Sequence, residues 1–287
     1  MQTSFVYKFK KQLIKPGLYI VSTPIGNLED ITFRAIKVLK SSEIVLCEDT
    51  RVSSNLLKKY NIKSKLISNH KFNEKKNLNK IIHDLQNNNI ISIISDAGTP
   101  VISDPGRLLV NECIKNKIAV FPIPGASAVS AAISISGFND KYIFCGFLPS
   151  SENEVKNQLE HLSKLDYSIV FFIPSRKINK TIKYLKYFFN DRNILIAKEM
   201  TKFYEEYIRS KISSLESFKK EIKGELTVVI SGKKNIKNNL NELSESVKRE
   251  IKEMQKRYSI KDIVSFFSKR ENISKKKIYN YCLKEKK

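Results

Sequence analysis

Short apolar runs alternate with amphipathic stretches along residues 17–137, and this alternation constrains the possible folds more than any other feature of the sequence. The runs at 18–22, 44–47, 65–68, 90–95 and 118–122 have the length and composition of β-strands. Each run ends in a loop containing Pro, Gly, Asp or Asn, and a stretch typical of a helix follows each loop. The pattern predicts a parallel sheet flanked by helices, whose strand-end loops meet on one face where ligands bind.

A second α/β unit is predicted from residue 142 onward. We expect strands at 142–147, 168–172, 194–197 and 226–230, helices at 152–164 and 177–188, and a further strand at 204–209. The stretch 233–239 is rich in Lys and Asn, which is typical of a linker. The predicted division is an N-terminal α/β domain at 1–138, a second α/β domain at 139–232 and a helical segment at 240–287.

The segment 240–287 carries two or three short helical patterns. Ser259 and Asp262 mark one helix start, and Asn272 and Ser274 would cap the next helix. Two short helices joined by a tight turn resemble a helix-turn-helix. From residue 240 onward 14 Lys and Arg residues outnumber seven Asp and Glu residues, which favours a segment that contacts RNA over a neutral dimerisation segment.

The formal net charge of +23 suits a protein that binds a polyanion, because clustered cations release counterions from a phosphate backbone. However, 43 of the 52 basic residues are lysine, and Ile and Asn are also abundant. A lysine-favouring codon bias spread over the whole surface explains the same numbers. Charge alone therefore leaves nucleic-acid binding open.

Cysteine usage and hydropathy suggest a cytoplasmic protein. Cys47, Cys113, Cys145 and Cys282 form no C-x-x-C pair and have no histidine nearby, which predicts reduced structural thiols rather than disulfides or a zinc site. No apolar run approaches the ~20 residues of a membrane span, and the run after the N-terminal lysines is too short for a signal peptide. No metal-ligand cluster and no Walker motif is present, so neither a metal nor a nucleoside triphosphate is expected.

Two loops of the first unit place chemically active groups after a predicted strand. In the loop 22–28, Gly26 would allow an anionic group to approach the amides of a helix N-terminus. Many strand-to-helix turns carry Pro and Gly without binding anything, so this loop is weak evidence. In the next loop, Glu48 and Asp49 stand beside Arg51, which suggests an acceptor site. A salt bridge from Asp49 to Arg51, or a helix cap, is the alternative.

The longest signature is SDAGTP at 95–100 followed by SDPG at 103–106. One Pro-Gly pair would suffice to reverse the chain, so two turns rich in small residues, each with an aspartate, indicate a binding loop. A sulfonium methyl donor has a positive sulfur, an ammonium group, hydroxyls and an adenine edge, all of which carboxylates and free backbone groups can bind. The turn at 122–128 adds a second anion-compatible helix start.

The strings TPIGNLEDIT, EDTR, SDAGTPVISDPG, PGASA, GFLPS and KEMTK, in this order and spacing, closely resemble the branch of the tetrapyrrole methylases that modifies ribosomal RNA. The resemblance covers about residues 17–232, and the segment after it is similar to a helix-turn-helix appendage found in that branch. It implies a fold of two α/β domains with an interdomain cleft, S-adenosylmethionine in that cleft and homodimers. It also implies 2′-O-methylation of a cytidine ribose in the decoding region of 16S rRNA, in the small ribosomal subunit.

The same resemblance assigns site residues. For cofactor binding it implies Pro24, Gly26, Asp96, Gly98, Thr99, Pro100, Gly125, Ser127 and Ala128, with Phe172 and Ile173 as neighbours of the adenine. The acceptor side would be lined by Glu48, Asp49, Arg51, His70, Asn73, Glu74, Asp104, Arg107, Lys198, Glu199 and Lys202. Two positions depart from the branch: Val52 and Ser175 stand where histidine is usual.

A ribose hydroxyl is a poor nucleophile and needs a base or a cation that stabilises the developing alkoxide. The base candidates are Glu48, Asp49, His70 and Glu74, and the cation candidates are Lys198, Lys202 and Arg51; the sequence does not rank them. His83 and His161 lie in helical patterns and are expected to be ordinary surface or packing residues. Two other functions stay open: methylation of a tetrapyrrole carbon, and non-catalytic binding of rRNA during assembly.

Overall fold

The computed structural model describes residues 14–139, 141–220, 222, 224–233, 243, 245–270 and 273–284. These residues belong to two compact units, one that reaches to Gly232 and one that starts at Lys233. Within the described residues, no helix is both long and apolar enough to cross a membrane. The domain boundaries given above stay a prediction.

The first unit begins with a parallel sheet of five strands, as the sequence predicts. The strands are β1 (Gly17–Val21), β2 (Ile44–Cys47), β3 (Lys65–Ser68), β4 (Ile90–Ile93) and β5 (Val120–Ile123), in the order β3-β2-β4-β1-β5. β4 ends two residues earlier than expected, and β5 starts two residues later. The late start has a local cause: Lys117 has a left-handed backbone, and the Ile118 amide donates to the Cys113 carbonyl at the end of the preceding helix.

Helices cover both faces of this sheet. They are α1 (Phe33–Ser41), α2 (Thr50–Lys59), α3 (Glu74–Gln86), α4 (Arg107–Lys115) and α5 (Ala128–Ser136). α1 and α2 pack on one face with Tyr19 and Val45, whereas α3 and α4 pack on the other with Leu18 and Leu46. This arrangement follows from the alternation of side chains along each strand.

The second sheet is mixed. Its elements are β6 (Tyr142–Phe147), α6 (Glu152–Ser163), β7 (Ser168–Pro174), α7 (Ile178–Phe189), β8 (Asn193–Lys198), β9 (Glu206–Lys211) and β10 (Glu225–Ile230). The strand order is β6-β7-β10-β8-β9; only β6 and β7 are parallel. The strand expected at 204–209 begins at Glu206, because a turn closed by the Glu205 amide and the Lys202 carbonyl precedes it.

Helix α5 joins the two sheets. Ile169 and Phe171 of β7 face α6 and α7, but Val170 between them faces α5. Leu195 and Ala197 of β8 and Val229 of β10 share the α5 face. The second sheet is therefore buried on both faces, and small residues such as Ala132 let α5 approach it closely.

The unit that starts at Lys233 contains α8 (Glu245–Gln255), α9 (Ile260–Arg270) and α10 (Lys275–Lys284), which share a core that includes Ile251, Phe267 and Ile278. The predicted helix start at Ser259 is confirmed: its hydroxyl accepts from the Asp262 amide and donates to the Asp262 carboxylate. The predicted cap Asn272 and residues 234–239 of the predicted linker lie outside the described residues. The four cysteines are free and lie in or against four separate cores.

Replacing Ala132 by leucine tests the contact between α5 and the second sheet. Ala132 is fully buried against that sheet, so Ala132→Leu should lower the free energy of unfolding by about 1–3 kcal/mol through overpacking. Ser130→Leu, at an exposed position of the same helix, should change it by less than about 0.5 kcal/mol. Urea denaturation of both variants measures the difference, and equal midpoints would contradict the packing.

Candidate functional site

A cavity of about 630 Å³ lies between the two sheets of the first unit. The first sheet contributes the loops that follow β1, β2 and β4 and the start of α5, and the second sheet contributes the ends of β6 and β7 and the start of β10. The lining residues are Ile25, Glu48, Asp96, Ala97, Gly98, Thr99, Ile102, Ser103, Asp104, Ser127, Ala128, Val129, Phe147, Phe172, Ile173, Pro174, Ser175, Arg176, Ile222, Gly224, Glu225, Leu226 and Thr227.

The loops after β1 and β4 are bound to each other beside the cavity. Thr23 and Gly98 exchange two backbone hydrogen bonds of 2.8 and 3.1 Å, and the hydroxyls of Ser22 and Thr99 lie 2.9 Å apart. After β1 the chain crosses to β2 on one side of the sheet, and after β4 it crosses to β5 on the other side. The cavity therefore lies at the topological switch point between β1 and β4. Open α/β sheets bind their ligands at this position.

The loop after β4 has a strained backbone. Val101 and Ser103 have φ angles of 72° and 69°, in the left-handed region that a β-branched residue such as valine rarely adopts. Backbone of this kind costs free energy and persists where surrounding contacts hold it, most often at functional sites. The strain supports a binding function for the loop 95–106.

Four carboxylates line the cavity, on Glu48, Asp96, Asp104 and Glu225, and that of Glu225 is already paired with Lys202. Burial raises the pKa of Asp104 to about 6, and the nearby charge of Glu48 adds to the effect against a hydrogen bond from Ser95. Burial also raises the pKa of Asp96, although its carboxylate accepts the Asp49 amide at 3.2 Å. Clustered, partly buried carboxylates destabilise one another and favour a cationic ligand.

The rest of the lining is apolar or neutral, with one cation. The rings of Phe147 and Phe172 lie 5.5 Å apart with their planes inclined by 58°, which gives an aromatic wall. Ser127 caps α5, whose first turn opens on the cavity and carries the partial positive charge of a helix N-terminus. Arg176 follows β7 in a short 3-10 helix at Ser175–Lys177 and is the one Lys or Arg in the described lining.

Most residues predicted for cofactor binding lie at this cavity: Asp96, Gly98, Thr99, Ser127, Ala128, Phe172 and Ile173. Pro24, Gly26, Pro100 and Gly125 do not line it. A Cβ at Gly26 would lie 2.5 Å from Lys202 Cγ, and one at Gly125 would lie 2.9 Å from Ser22 Cβ. Both glycines therefore permit close packing of neighbouring loops, and Gly26 does not leave open space for an anion as the sequence suggested.

Of the residues predicted at the acceptor side, Glu48 and Asp104 line the cavity. Asp49 caps α2 and forms a 2.6 Å ion pair with Arg51, whose side chain is 89% exposed. The Arg51 guanidinium holds the pKa of Asp49 at about 2. The alternative expected from the sequence, a salt bridge together with a helix cap, is thus what the structure shows. Val52 is exposed on α2, and Ser175 lines the cavity.

His70, Asn73 and Glu74 lie in the loop after β3 and at the start of α3. Glu74 is buried, and its Oε1 accepts the Leu109 amide in the first turn of α4 at 3.3 Å. Gly106 precedes α4 without a side chain to cap it, so Glu74 supplies the missing acceptor. Arg107 begins that helix and does not line the cavity.

The predicted cations of the second sheet are already paired. Lys202 Nζ lies 3.1 Å from carboxylate oxygens of both Glu199 and Glu225, and Lys198 Nζ lies 3.0 Å from Glu206. Burial alone would lower the pKa of Lys202, but its two carboxylate partners raise it. The pairs of Lys202 hold the loop after β8 against the start of β10, and the pair of Lys198 joins β8 to β9. The predicted residues Lys198, Glu199 and Lys202 do not line the cavity.

Sequence reasoning missed several lining residues. Ile102, Ser103, Phe147, Arg176 and the start of β10 lie at the cavity without having been predicted as site residues. Asp104 was predicted at the acceptor side but not among the bases, and its buried position could be recognised only in the fold. Within the described residues, no three His, Cys, Asp or Glu side chains are grouped to hold a metal ion.

Comparison with known proteins agrees with this architecture. Residues 17–216 match the family model of tetrapyrrole (corrin/porphyrin) methylases. A crystal structure of the methyltransferase CobJ is similar in fold, with a TM-score of 0.58 and 13% identity over 76% of this chain and 94% of that one. A uroporphyrin-III C-methyl transferase from Thermus thermophilus complexed with S-adenyl homocysteine gives a TM-score of 0.55 and 16% identity, over 75% and 97%. The fold is that of this class of methylases.

Relatives that match over nearly their whole length identify a narrower group within this family. A ribosomal RNA small subunit methyltransferase I from Rickettsia prowazekii is 38% identical over 96% of this chain and 99% of its own length. A protein of the same name from Thermotoga maritima is 46% identical over 75% of this chain and 98% of its own length. The chain belongs to the tetrapyrrole methylase family and, within it, to the ribosomal RNA small subunit methyltransferase I group.

Two substitutions of Glu74 separate a capping role from catalysis. Glu74→Gln keeps an acceptor for the Leu109 amide, so activity should stay near wild type with a stability loss below about 1 kcal/mol. Glu74→Leu leaves that amide unpaired and should lower the free energy of unfolding by about 1–3 kcal/mol. Urea denaturation and initial rates test this, with Glu112→Gln, on α4 near Leu109, as a control. A large rate loss in Glu74→Gln would instead support the predicted role as a base.

Proposed function

We propose that this protein transfers a methyl group from S-adenosylmethionine to the rRNA of the small ribosomal subunit. The observation that carries the proposal is the switch-point cavity with the carboxylates of Glu48, Asp96 and Asp104 unpaired with any described lysine or arginine, in a chain whose full-length relatives are named ribosomal RNA small subunit methyltransferase I. The volume of about 630 Å³ is in the usual range for a cofactor-sized ligand.

The residues of the cavity fit this donor. S-adenosylmethionine supplies an electrophilic methyl group on a cationic sulfur when it is bound. Asp96 and Asp104 favour positive charge, the first turn of α5 suits the donor's carboxylate, and the wall formed by Phe147 and Phe172 suits its adenine. Ser127 and Ala128 at the start of α5 provide the anion-binding end.

At finer detail, we propose that the acceptor is a ribose 2′-hydroxyl of a cytidine in the decoding region of 16S rRNA. Asp104 is the best placed of the carboxylates to remove the hydroxyl proton, because a pKa of about 6 makes it a stronger base than an ordinary aspartate while it stays ionised at neutral pH. Arg176 is the cation at the cavity that can stabilise the developing negative charge on oxygen. Glu48 adds a second carboxylate beside Asp104.

The remaining predictions form part of the same proposal. The helical unit after Lys233 would contact RNA, the protein would act as a homodimer, and an rRNA substrate places the reaction in the cytoplasm. The three-domain division at 1–138, 139–232 and 240–287 is retained with it.

The test incubates the purified protein with tritiated S-adenosylmethionine and small subunits from cells that lack this methyltransferase. Alkali-resistant linkages are then mapped in the rRNA. We expect label at one cytidine, as 2′-O-methylcytidine. Label on a base would overturn the ribose assignment alone.

Two further outcomes distinguish the other functions. Protein that binds the donor but labels neither subunits nor naked rRNA, and instead labels a tetrapyrrole, would be a small-molecule methyltransferase. Protein that binds rRNA but fails to bind S-adenosylmethionine in a calorimetric titration would be a non-catalytic assembly protein.

Asp104→Asn should separate activity from stability. Loss of the base should lower the rate by about 100-fold or more, and the acidic limb of the wild-type pH profile, at about pH 6 or below, should disappear. This acidic limb cannot lie above about pH 6, because a cationic ligand bound in the cavity lowers the pKa of Asp104. Asp49→Asn should keep the limb whatever its rate, since the pKa of Asp49 is about 2.

The raised pKa of Asp104 determines how the stability of Asp104→Asn relative to wild type changes with pH. Folded Asp104 binds its proton more tightly than the unfolded chain does, so the wild type loses stability as pH rises from about 4 to 6. Asn lacks this titration, and the stability of Asp104→Asn relative to wild type should increase over that range. Melting temperatures at pH 4 and pH 8 decide the sign, and a variant less stable only at pH 8 would contradict the raised pKa.

A further inference from the structure

The ring of Phe72 projects into solvent beside the cavity wall. It is 93% exposed and lies in the turn between β3 and α3, where its one ring contact is an edge contact with His70 at 6.0 Å. No core of the described chain includes it. An aromatic side chain left this exposed gains free energy when a partner covers it.

The turn that carries Phe72 is held by several hydrogen bonds. The Phe72 amide donates to His70 Nδ1 at 3.2 Å, and the His70 amide donates to Asn73 Oδ1 at 2.7 Å. Asn73 Nδ2 and Asn77 Nδ2 both donate to the Ser68 carbonyl. A ring presented on a braced turn loses little conformational entropy when a partner binds it.

The turn also adjoins the cavity. The Ser68 hydroxyl donates to the carbonyl of Glu48, a lining residue, at 3.3 Å, and the Asn69 amide donates to the Cys47 carbonyl at 2.7 Å. β3 and β2 are neighbours in the sheet, and both end at the edge on which the cavity opens. A polymer that places one residue in the cavity can reach Phe72 along this edge.

The exposed charges in the segment that carries Phe72 are all positive. Across residues 69–80, which are all described, the exposed charged side chains are those of Lys71, Lys75, Lys76 and Lys80. The one carboxylate, Glu74, is buried and turned towards α4. The exposed aromatic residues Phe203 and Tyr204 differ from Phe72 in their neighbouring charges, because the exposed acids Glu205 and Glu206 follow them directly. An aromatic ring among lysines suits single-stranded nucleic acid.

We propose that Phe72 stacks on a base of single-stranded rRNA next to the nucleotide that enters the cavity, while the surrounding lysines bind the adjoining phosphates. The inference rests on the proposed function and extends it to the path of the RNA. Phe72 is a positioning residue: it holds the strand in register and does not touch the reacting atoms. Stacking tolerates any base, so the contact contributes affinity more than sequence specificity.

Kinetics with undermethylated small subunits test the proposal. Phe72→Ala should raise KM for subunits on the order of tenfold, the effect of losing one stacking contact, with kcat changed less than about twofold. Phe72→Trp should keep KM near wild type, whereas Phe72→Leu should resemble Phe72→Ala. Because leucine is apolar but cannot stack, this pair separates stacking from burial of an apolar side chain.

The matched control is Tyr187→Ala. Tyr187 is 80% exposed and also makes only an edge contact with a neighbouring ring, at 4.8 Å. It lies near the end of α7, whose start is at the cavity and whose axis leads away from it. Its replacement should leave KM for subunits unchanged.

Binding of a short single-stranded RNA that carries 2-aminopurine gives an independent readout, since stacking quenches its fluorescence. Wild type should quench it and Phe72→Leu should quench it less. Equal quenching, or a KM for Phe72→Leu equal to that of wild type, would overturn the proposal. So would a loss of self-association in Phe72→Ala with unchanged RNA binding, which would make the ring a contact between two copies of the chain. If wild type transfers no methyl to subunits, the proposed function fails, but the quenching still decides whether Phe72 stacks on RNA.

Discussion

The packing of α5 against the second sheet is the contact on which the site depends. α5 begins at the cavity with Ser127 and Ala128, and its buried face continues through Val129 and Ala132 to β8 and β10. The helix therefore fixes the distance between the loops of the first sheet and the ends of β7 and β10. Close-packed interfaces of this kind resist small displacements, so both walls of the cavity keep their positions before a ligand binds. Preorganisation of the walls lowers the cost of binding.

This rigid frame allows the chain to tolerate an unfavourable cluster of charge. Glu48, Asp96 and Asp104 repel one another in a partly buried space, and Val101 and Ser103 hold a strained backbone beside them. Each feature costs stability in the ligand-free protein, and a cationic ligand would reduce the repulsion among the carboxylates. The surrounding hydrogen bonds between Thr23 and Gly98 and between Ser22 and Thr99 keep the loop in place. Stability elsewhere in the unit thus supports a site that is unstable by itself.

The sequence predicted the elements well because their periodicity reports local burial. β2, β3 and β6 have the expected bounds, since each apolar run ends at a Pro, Gly, Asp or Asn loop. The starts of β5 and β9 are displaced by hydrogen-bonded turns, whose contacts come from residues outside the run, as for Ile118 and Cys113. The mixed pairing in the second sheet could not be predicted either, because apolar runs buried on both faces look alike in parallel and antiparallel strands.

Site residues were harder to predict for a related reason. A sequence motif includes every residue that the local geometry requires. Some of these side chains contact the ligand, and others only position residues that do. Gly26 and Lys202 belong to separate motifs, yet they contact each other and the loop after β8 rather than the cavity. Glu74 is part of a motif and caps a helix. Arg176 and Asp104 reach the cavity only because β7 and the loop after β4 meet across α5. To distinguish residues that contact the ligand from residues that position others, one needs the distances between segments far apart in the chain. The packing of α5 sets these distances.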